Sequence, residues 1–405
     1  MTPKRSIPDV AVLVFSFLFF PDLVCAQDPG LGLPAPSKNA WSVQMAESFI
    51  ARNRDSISYP DSKRPERWDY EQGVILEALK QVWKAGGDER YLEYLRRSID
   101  RFVEDDGSIR TYEFTSYNLD NINTGRQVLF LFERTGLLKY RAAAETLRFQ
   151  LRQHPRTLSG GFWHKKIYPY QMWLDGIYMA EPFYARCSAM FGDTAAFEDI
   201  AHQIIEIERR TRDPKTGLLY HGWDESHHQR WADTATGCSP HFWGRAMGWY
   251  AMGIVDVLDV FPSNHPKRPA LLSVFKRVID AIAAYQDAES GVWYQVLDQA
   301  DRKGNYKEAS CTAMFVYAIA KGVRMGYLDR SARAIAERGF EGMIDEFVTK
   351  DADGLPNLNH VCSVSGLGGN PFRDGSFEYY VGEPQRTNDL KGVGPFILAA
   401  VELGK

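Results

Sequence analysis

The sequence predicts an all-α fold closed into an (α/α)6 toroid, that is, six helical hairpins arranged in a ring. Three observations carry this expectation. Helical periodicity recurs throughout the chain, whereas the alternating pattern of half-buried strands is almost absent. A unit of apolar helix, short Gly-containing turn, amphipathic helix and longer loop rich in Gly and aromatics recurs six times at roughly 50–80 residues, the mark of a stacked or closed repeat. Finally, the segment Gly392 to Val401 is apolar to within a few residues of Lys405. An open array would need a polar cap there, so closure is expected.

The N-terminus has Lys4 and Arg5, an apolar run from Val10 to Phe20, and Val24-Cys25-Ala26 ahead of Gln27. This reads as a secretory signal peptide over residues 1–26, its apolar run too short for a stable membrane anchor. The expected mature chain begins near Gln27, has no transmembrane segment, and is periplasmic or secreted. Lipid anchoring through Cys25 is the alternative, disfavoured by the bulky Val24 before it. Residues 27–40 are expected to be a linker and 41–405 a catalytic domain.

The hairpins follow in order. Amphipathic members are expected at about Trp41–Asn53, Glu89–Val103, Lys139–Gln153, Thr194–Arg210, Lys267–Gln286 and Arg330–Val348, and apolar members begin near Trp68, Leu119, Trp173, Phe242, Glu308 and Asn388. Gln127 to Phe132 and Ala251 to Leu258 are apolar nearly all round, as helices buried on both sides must be, while Tyr91 to Asp100 keeps one wet face. Turns such as Thr135-Gly136 and Phe191-Gly-Asp193 end helices where a left-handed residue is wanted.

The totals narrow the function. The chain has 405 residues, 13% of them aromatic, with ten Trp and twenty Tyr. Such side chains offer flat amphipathic surfaces that suit sugars. A formal net charge of −4 without a dense basic run argues against nucleic acid. Cys187, Cys238, Cys311 and Cys362 are widely spaced, so free, buried thiols are expected, with no metal site and no cofactor. The pair His227-His228 near Asp224 lacks the spacing of a metal site.

In a toroid, the loops entering the inner helices meet at one end. There lie Arg67-Trp-Asp-Tyr70, Tyr117-Asn-Leu-Asp120, His164-Lys165, Gln171 to Asp175, His221-Gly-Trp-Asp224 and Phe242-Trp-Gly-Arg245. Asp175 stands in an apolar run, Tyr168 to Phe183, that reads as the start of a buried helix. It is either a helix cap or a proton donor. A helix N-terminus favours the carboxylate by ~0.3–1 kcal/mol, whereas burial can raise a carboxyl by as much as 3–5 pKa units. Asp120 opens the preceding inner helix, and two carboxylates facing one pocket titrate together, one keeping its proton near neutral pH. Pro182 removes the hydrogen bond to the Tyr178 carbonyl and kinks the helix. Arg245, between Trp243 and Trp249, suits either a carboxylate ligand or an internal salt bridge. His221 and Lys165 are weak signals alone.

Taken together, Gln171-Met-Trp-Leu-Asp-Gly-Ile-Tyr-Met179, Trp243-Gly-Arg-Ala-Met-Gly-Trp249, Trp68-Asp-Tyr-Glu-Gln-Gly73 and His221 resemble the unsaturated rhamnogalacturonyl hydrolases, glycoside hydrolase family 105, from about Trp41 to the C-terminus. The resemblance implies the (α/α)6 barrel and removal of a 4,5-unsaturated uronic acid from the non-reducing end of polysaccharide-lyase products, without a metal. It assigns the general acid/base to Asp175, its partner to Asp120, and substrate contacts to Tyr70, Lys165, Trp173, His221, Trp243, Arg245 and Trp249. It also implies the chemistry: protonation of C4 of the vinyl ether, hydration at C5, and collapse of the hemiketal. Ala246-Met247 replace the Gly-Asn expected after the arginine, which bears on specificity. A conventional inverting glycosidase using the same two aspartates, and a non-catalytic sugar-binding protein, are the other readings.

Overall fold

A computed structural model describes residues 36–38, 40–59 and 66–405. The expected signal peptide and nearly all of the expected linker lie outside the described residues. Six outer helices, α1 (Trp41–Arg52), α3 (Glu89–Asp100), α5 (Leu138–Gln153), α7 (Ala196–Thr211), α9 (Arg268–Ala284) and α11 (Arg333–Phe347), alternate along the chain with six inner ones. The inner helices are α2 (Tyr70–Gly86), α4 (Gly125–Thr135), α6 (Leu174–Phe191), α8 (Gly244–Val257), α10 (Ala309–Arg324) and α13 (Leu390–Leu403), with a short α12 (Phe377–Gly382) in the last long loop. Each inner helix packs on the next, and α13 packs on α2, which closes the ring.

Burial follows the sequence pattern. Every residue of α8 and α13 is buried, whereas α3 buries only Tyr91, Tyr94, Leu95, Ser98 and Ile99. Gly136 and Gly192 end α4 and α6 at φ 67° and 69°, the left-handed conformation expected there. All four described cysteines are free and buried. Inside the ring a buried charge network runs from Lys80 to Glu77 (2.6 Å), Glu77 to Arg126 (3.4 Å), Arg126 to Asp256 (2.9 Å) and Asp256 to Lys321 (2.7 Å). It ties α2, α4, α8 and α10 to one another.

The structure departs from the sequence reading at both aspartates. Gln171–Trp173 is not the start of a helix but a strand, β1, paired antiparallel with β2 (Gly222–Asp224). The helix begins only at Leu174, because the backbone before it is engaged by a segment about fifty residues away in the chain. Two further short pairs, β3 (Val348–Lys350) with β4 (Pro356–Leu358) and β5 (Val361–Cys362) with β6 (Gln385–Arg386), brace the later loops. Asp120 lies in a 3-10 turn, Leu119–Ile122, ahead of α4 rather than in the helix.

That turn is locked between α2 and α6. Pro182 lies inside α6, so the Tyr178 carbonyl has no intrahelical donor. The Asn123 amide supplies one, Nδ2 to the carbonyl at 3.0 Å. Thr124 Oγ1 donates to the Asp69 carbonyl at 2.6 Å, and Trp68 Nε1 to the Asn121 carbonyl at 2.7 Å. The approach to α2 requires glycine at 73, where a Cβ would stand 2.4 Å from Asn123 Oδ1. Replacing Asn123 by Asp keeps the size but removes the donor, and so leaves a buried carbonyl unpaired. Asn123→Asp is expected to lower stability by about 1–3 kcal/mol, read from urea unfolding; an unchanged midpoint would refute the assignment.

Candidate active site

The N-terminal ends of α2, α6 and α13, with the Asp120 turn, border a cavity of about 810 Å³. The partial positive charge of helix N-termini makes such a place receptive to anions. Asp175 lies in the first turn of α6 and is 9% exposed. The N-cap position is Trp173, so Asp175 is not the cap. Behind it is His221, fully buried, with Nε2 3.2 Å from Asp175 Oδ2 and Nδ1 2.8 Å from the Tyr380 hydroxyl. A hydroxyl donating to Nδ1 leaves the ring proton on Nε2, facing the carboxylate. The contact is off the line of a hydrogen bond, and neither Asp175 Oδ2 nor His221 Nε2 has an aligned partner.

Burial pushes the Asp175 carboxyl up, but the attraction of His221, 3.2 Å away, and of His164 outweighs it and holds the group below the usual carboxylate range. The sequence reading left the sign open between the helix N-terminus and burial. What decides it is the imidazole, which approaches from a distant loop.

Asp120 accepts from Lys165 Nζ at 2.5 Å and has His164 Nε2 at 3.4 Å. A bridge between Asn118 and Lys165 brings the two segments together. Burial opposes the charge of Lys165, but Asp120 prevails and raises its pKa, while burial lowers His164 to about 4, so that ring is neutral at neutral pH. Trp173 reaches the cavity with His164 stacked on it at 4.5 Å and Tyr168 at 4.8 Å, so much of its face is already taken. Tyr70, at the start of α2, lines the cavity and sets its ring edge-on to Trp249.

The structure thus brings Asp175, Asp120, Tyr70, Lys165 and Trp173 to one cavity. It places His221, Trp243, Arg245 and Trp249 behind that wall, none more than 2% exposed. Arg245 donates to the Cys362 carbonyl at 2.6 Å and to Ser310 Oγ at 3.3 Å, and lies against the Trp243 ring. Its expected grip on a ligand carboxylate is replaced here by bonds within the fold. Asp224, considered beside His227 and His228, accepts from Ser226 Oγ and the Gln229 amide, as a turn residue does.

Sequence reasoning named Asp69, His164 and Tyr168 within its quoted segments without giving them a role, and passed over Arg373; all four line the cavity. Asp69 stood in the quoted Trp68–Gly73 motif, and its signal was an Asp directly before a helix. It occupies the N-cap position of α2 without capping it; Oδ2 is held by Arg67 at 3.0 Å and Oδ1 is buried without a partner. Gln72 Oε1 and His164 Nδ1 on the same wall are likewise buried and unpaired. Unpaired buried polar atoms are rare, and they gather where a ligand supplies the missing partners.

Burial, then the nearby Glu71 and Asp120, push the Asp69 carboxyl up to about 6. The folded state therefore holds this proton more tightly than the unfolded chain. Its contribution is present below pH ~4 and is lost as pH rises to about 6, an effect on the order of 2 kcal/mol. Asp69→Asn should be more stable than wild type near neutral pH and should lose an inflection near pH 6 in kcat/KM. An unchanged profile together with an unchanged unfolding midpoint would refute this.

The model of Glycosyl Hydrolase Family 88 matches residues 41–405. A solved family 105 glycoside hydrolase from C. acetobutylicum is 47% identical, with 90% of this chain and 99% of that one covered and a TM-score of 0.86. The unsaturated rhamnogalacturonyl hydrolase of Bacillus subtilis is 28% identical over 278 residues, covering 67% of this chain and 76% of that protein. The unsaturated glucuronyl hydrolase of Bacillus sp. GL1 shares the fold at a TM-score of 0.64 and 13% identity, covering 89% of this chain and 94% of that one.

Proposed function

Since the chain belongs to glycoside hydrolase family 105, within the group matched by the family 88 model, and is therefore a hydrolase of carbohydrates, we propose that it removes a 4,5-unsaturated uronic acid from the non-reducing end of oligosaccharides released by a polysaccharide lyase of the rhamnogalacturonan or pectin type. We propose further that it acts after export, in the periplasm or outside the cell. The observation that carries the activity is the pair of cavity carboxylates in unequal surroundings. Asp120 is neutralised by Lys165, while Asp175 keeps a buried oxygen unpaired beside His221.

The low proton affinity of Asp175 in the free protein constrains the mechanism. A bound uronate expels water and adds a second carboxylate, and both changes raise the proton affinity of Asp175. The proton is taken up from solvent as the substrate enters, while His221 Nε2, 3.2 Å away, holds the carboxyl in place. In this reading Asp175 delivers it to C4 of the vinyl ether, leaving positive charge shared between C5 and the ring oxygen. Asp175, again a carboxylate, takes a proton from water as the water oxygen bonds to C5. The resulting hemiketal opens, and the bond from C1 to the neighbouring sugar's oxygen breaks, that oxygen leaving with a proton. Asp120, salt-bridged to Lys165, faces the developing positive charge. His221 is then a positioning residue.

The wild-type protein is expected to bleach the ultraviolet absorbance of the conjugated double bond in lyase-made oligosaccharides, with the released sugar identified by mass. Asp175→Asn should lower kcat by about 10²–10⁴-fold, the usual range for loss of a general acid, with unfolding behaviour retained. Preference for saturated oligosaccharides would instead favour a conventional inverting glycosidase, and wild-type turnover by Asp175→Asn would sink the assigned role.

A further inference from the structure

On the reading above, in which the substrate carries a uronate, the geometry points to Arg373 as the residue that recognises a carboxylate of the substrate. The other cations on the cavity wall are already neutralised. Lys165 pairs with Asp120, Arg67 with Asp69, Lys391 with Glu71 and Asp389, and Arg386 with Asp389. Arg245 is 1% exposed, lies behind the residues that line the cavity, and donates from Nη1 to the Cys362 carbonyl and Ser310 Oγ. Arg373 lines the cavity, is half-buried, and among the described residues enters no ion pair.

Its guanidinium is nonetheless held in one orientation. Nε donates to the Gly368 carbonyl at 2.9 Å, and Nη2 donates to the Leu367 carbonyl at 3.1 Å and to the Tyr168 hydroxyl at 2.7 Å. The group lies 5.8 Å from the Tyr168 ring centroid and 5.9 Å from that of Trp173. Gly366 makes room for it, since a Cβ there would stand 2.2 Å from Nη1. Nη1 makes no hydrogen bond among the described residues, and Ser363 and Ser365 lie on the same wall. A fixed, unpaired guanidinium facing a partly dehydrated cavity is preorganised for an oxyanion. Trp173, which it overlies, is two residues from Asp175, so the charge is held beside the proposed proton donor. The carboxylate comes either from the unsaturated uronate itself or from the sugar linked to it.

Calorimetric titration of Asp175→Asn, with and without Arg373→Gln, separates these sources. The ligands are an unsaturated uronate linked to a neutral sugar, its methyl ester, and an unsaturated uronate linked to a second uronate. Arg373→Gln should weaken binding of the free acid by about 10- to 100-fold, the range for one charged hydrogen-bonded contact. It should leave the methyl ester nearly unaffected if the uronate's own carboxylate is read. A loss confined to the ligand with two carboxylates assigns the neighbouring sugar instead. Arg373→Lys, which keeps the charge without the fork, should fall between. Equal weakening of acid and ester, unchanged affinities, or no binding of any acid would overturn the inference. Bleaching by the wild-type protein is scored separately, so its absence on every ligand removes the uronyl hydrolase reading while the titration still decides Arg373.

Discussion

The arrangement of the two carboxylates rests on one hydrogen bond, from the Asn123 amide to the Tyr178 carbonyl. Proline inside a helix ordinarily leaves a carbonyl without a donor, a loss that must be made good from outside the helix. Here the donor adjoins the turn that carries Asp120, and the orphaned carbonyl belongs to the helix that carries Asp175. The helix and the turn are therefore positioned by the same contact. Gly73 contributes by its missing side chain, which lets Asn123 and Thr124 sit directly on α2.

Around that frame the electrostatics divide the cavity. On one side, Lys165 neutralises Asp120 and Arg67 neutralises Asp69. On the other, His221 and Tyr380 form a buried chain behind Asp175, and Arg373 stands over Trp173 without an acidic partner among the described residues. Helix N-termini add positive potential at the floor. That potential is one a neutral sugar would not use and the proposed uronate would.

The fold was legible because its signals are periodic and local. Apolar helices such as α8 read as buried on all sides, and Gly136 and Gly192 mark ends that the structure places where expected. Asp120 and Asp175 were legible as carboxylates at one end of the ring, but their surroundings were not. His221 reaches Asp175 only because β2 pairs with β1, and Tyr380 is 159 residues further along the chain from His221. No periodicity records such meetings, so the group that decides the direction of the Asp175 shift was not legible. Arg245 shows the converse: an arginine between two tryptophans looks like a binding residue, yet it is 1% exposed and its Nη1 donates to a backbone carbonyl and a serine hydroxyl.

Closure of the ring bears on the chemistry as well as the stability. Tyr380 and Arg373 belong to the long loop before α13, the last inner helix, while Asp175 and Trp173 belong to the third hairpin. Only because α13 returns to pack on α2 does that loop lie across the cavity entered by α2, α6 and the Asp120 turn. In an open array the same residues would be separated by the length of the stack. The His221–Tyr380 contact behind Asp175 and the Arg373 guanidinium beside it are therefore products of closure, and the apolar C-terminal helix is what brings them into the site.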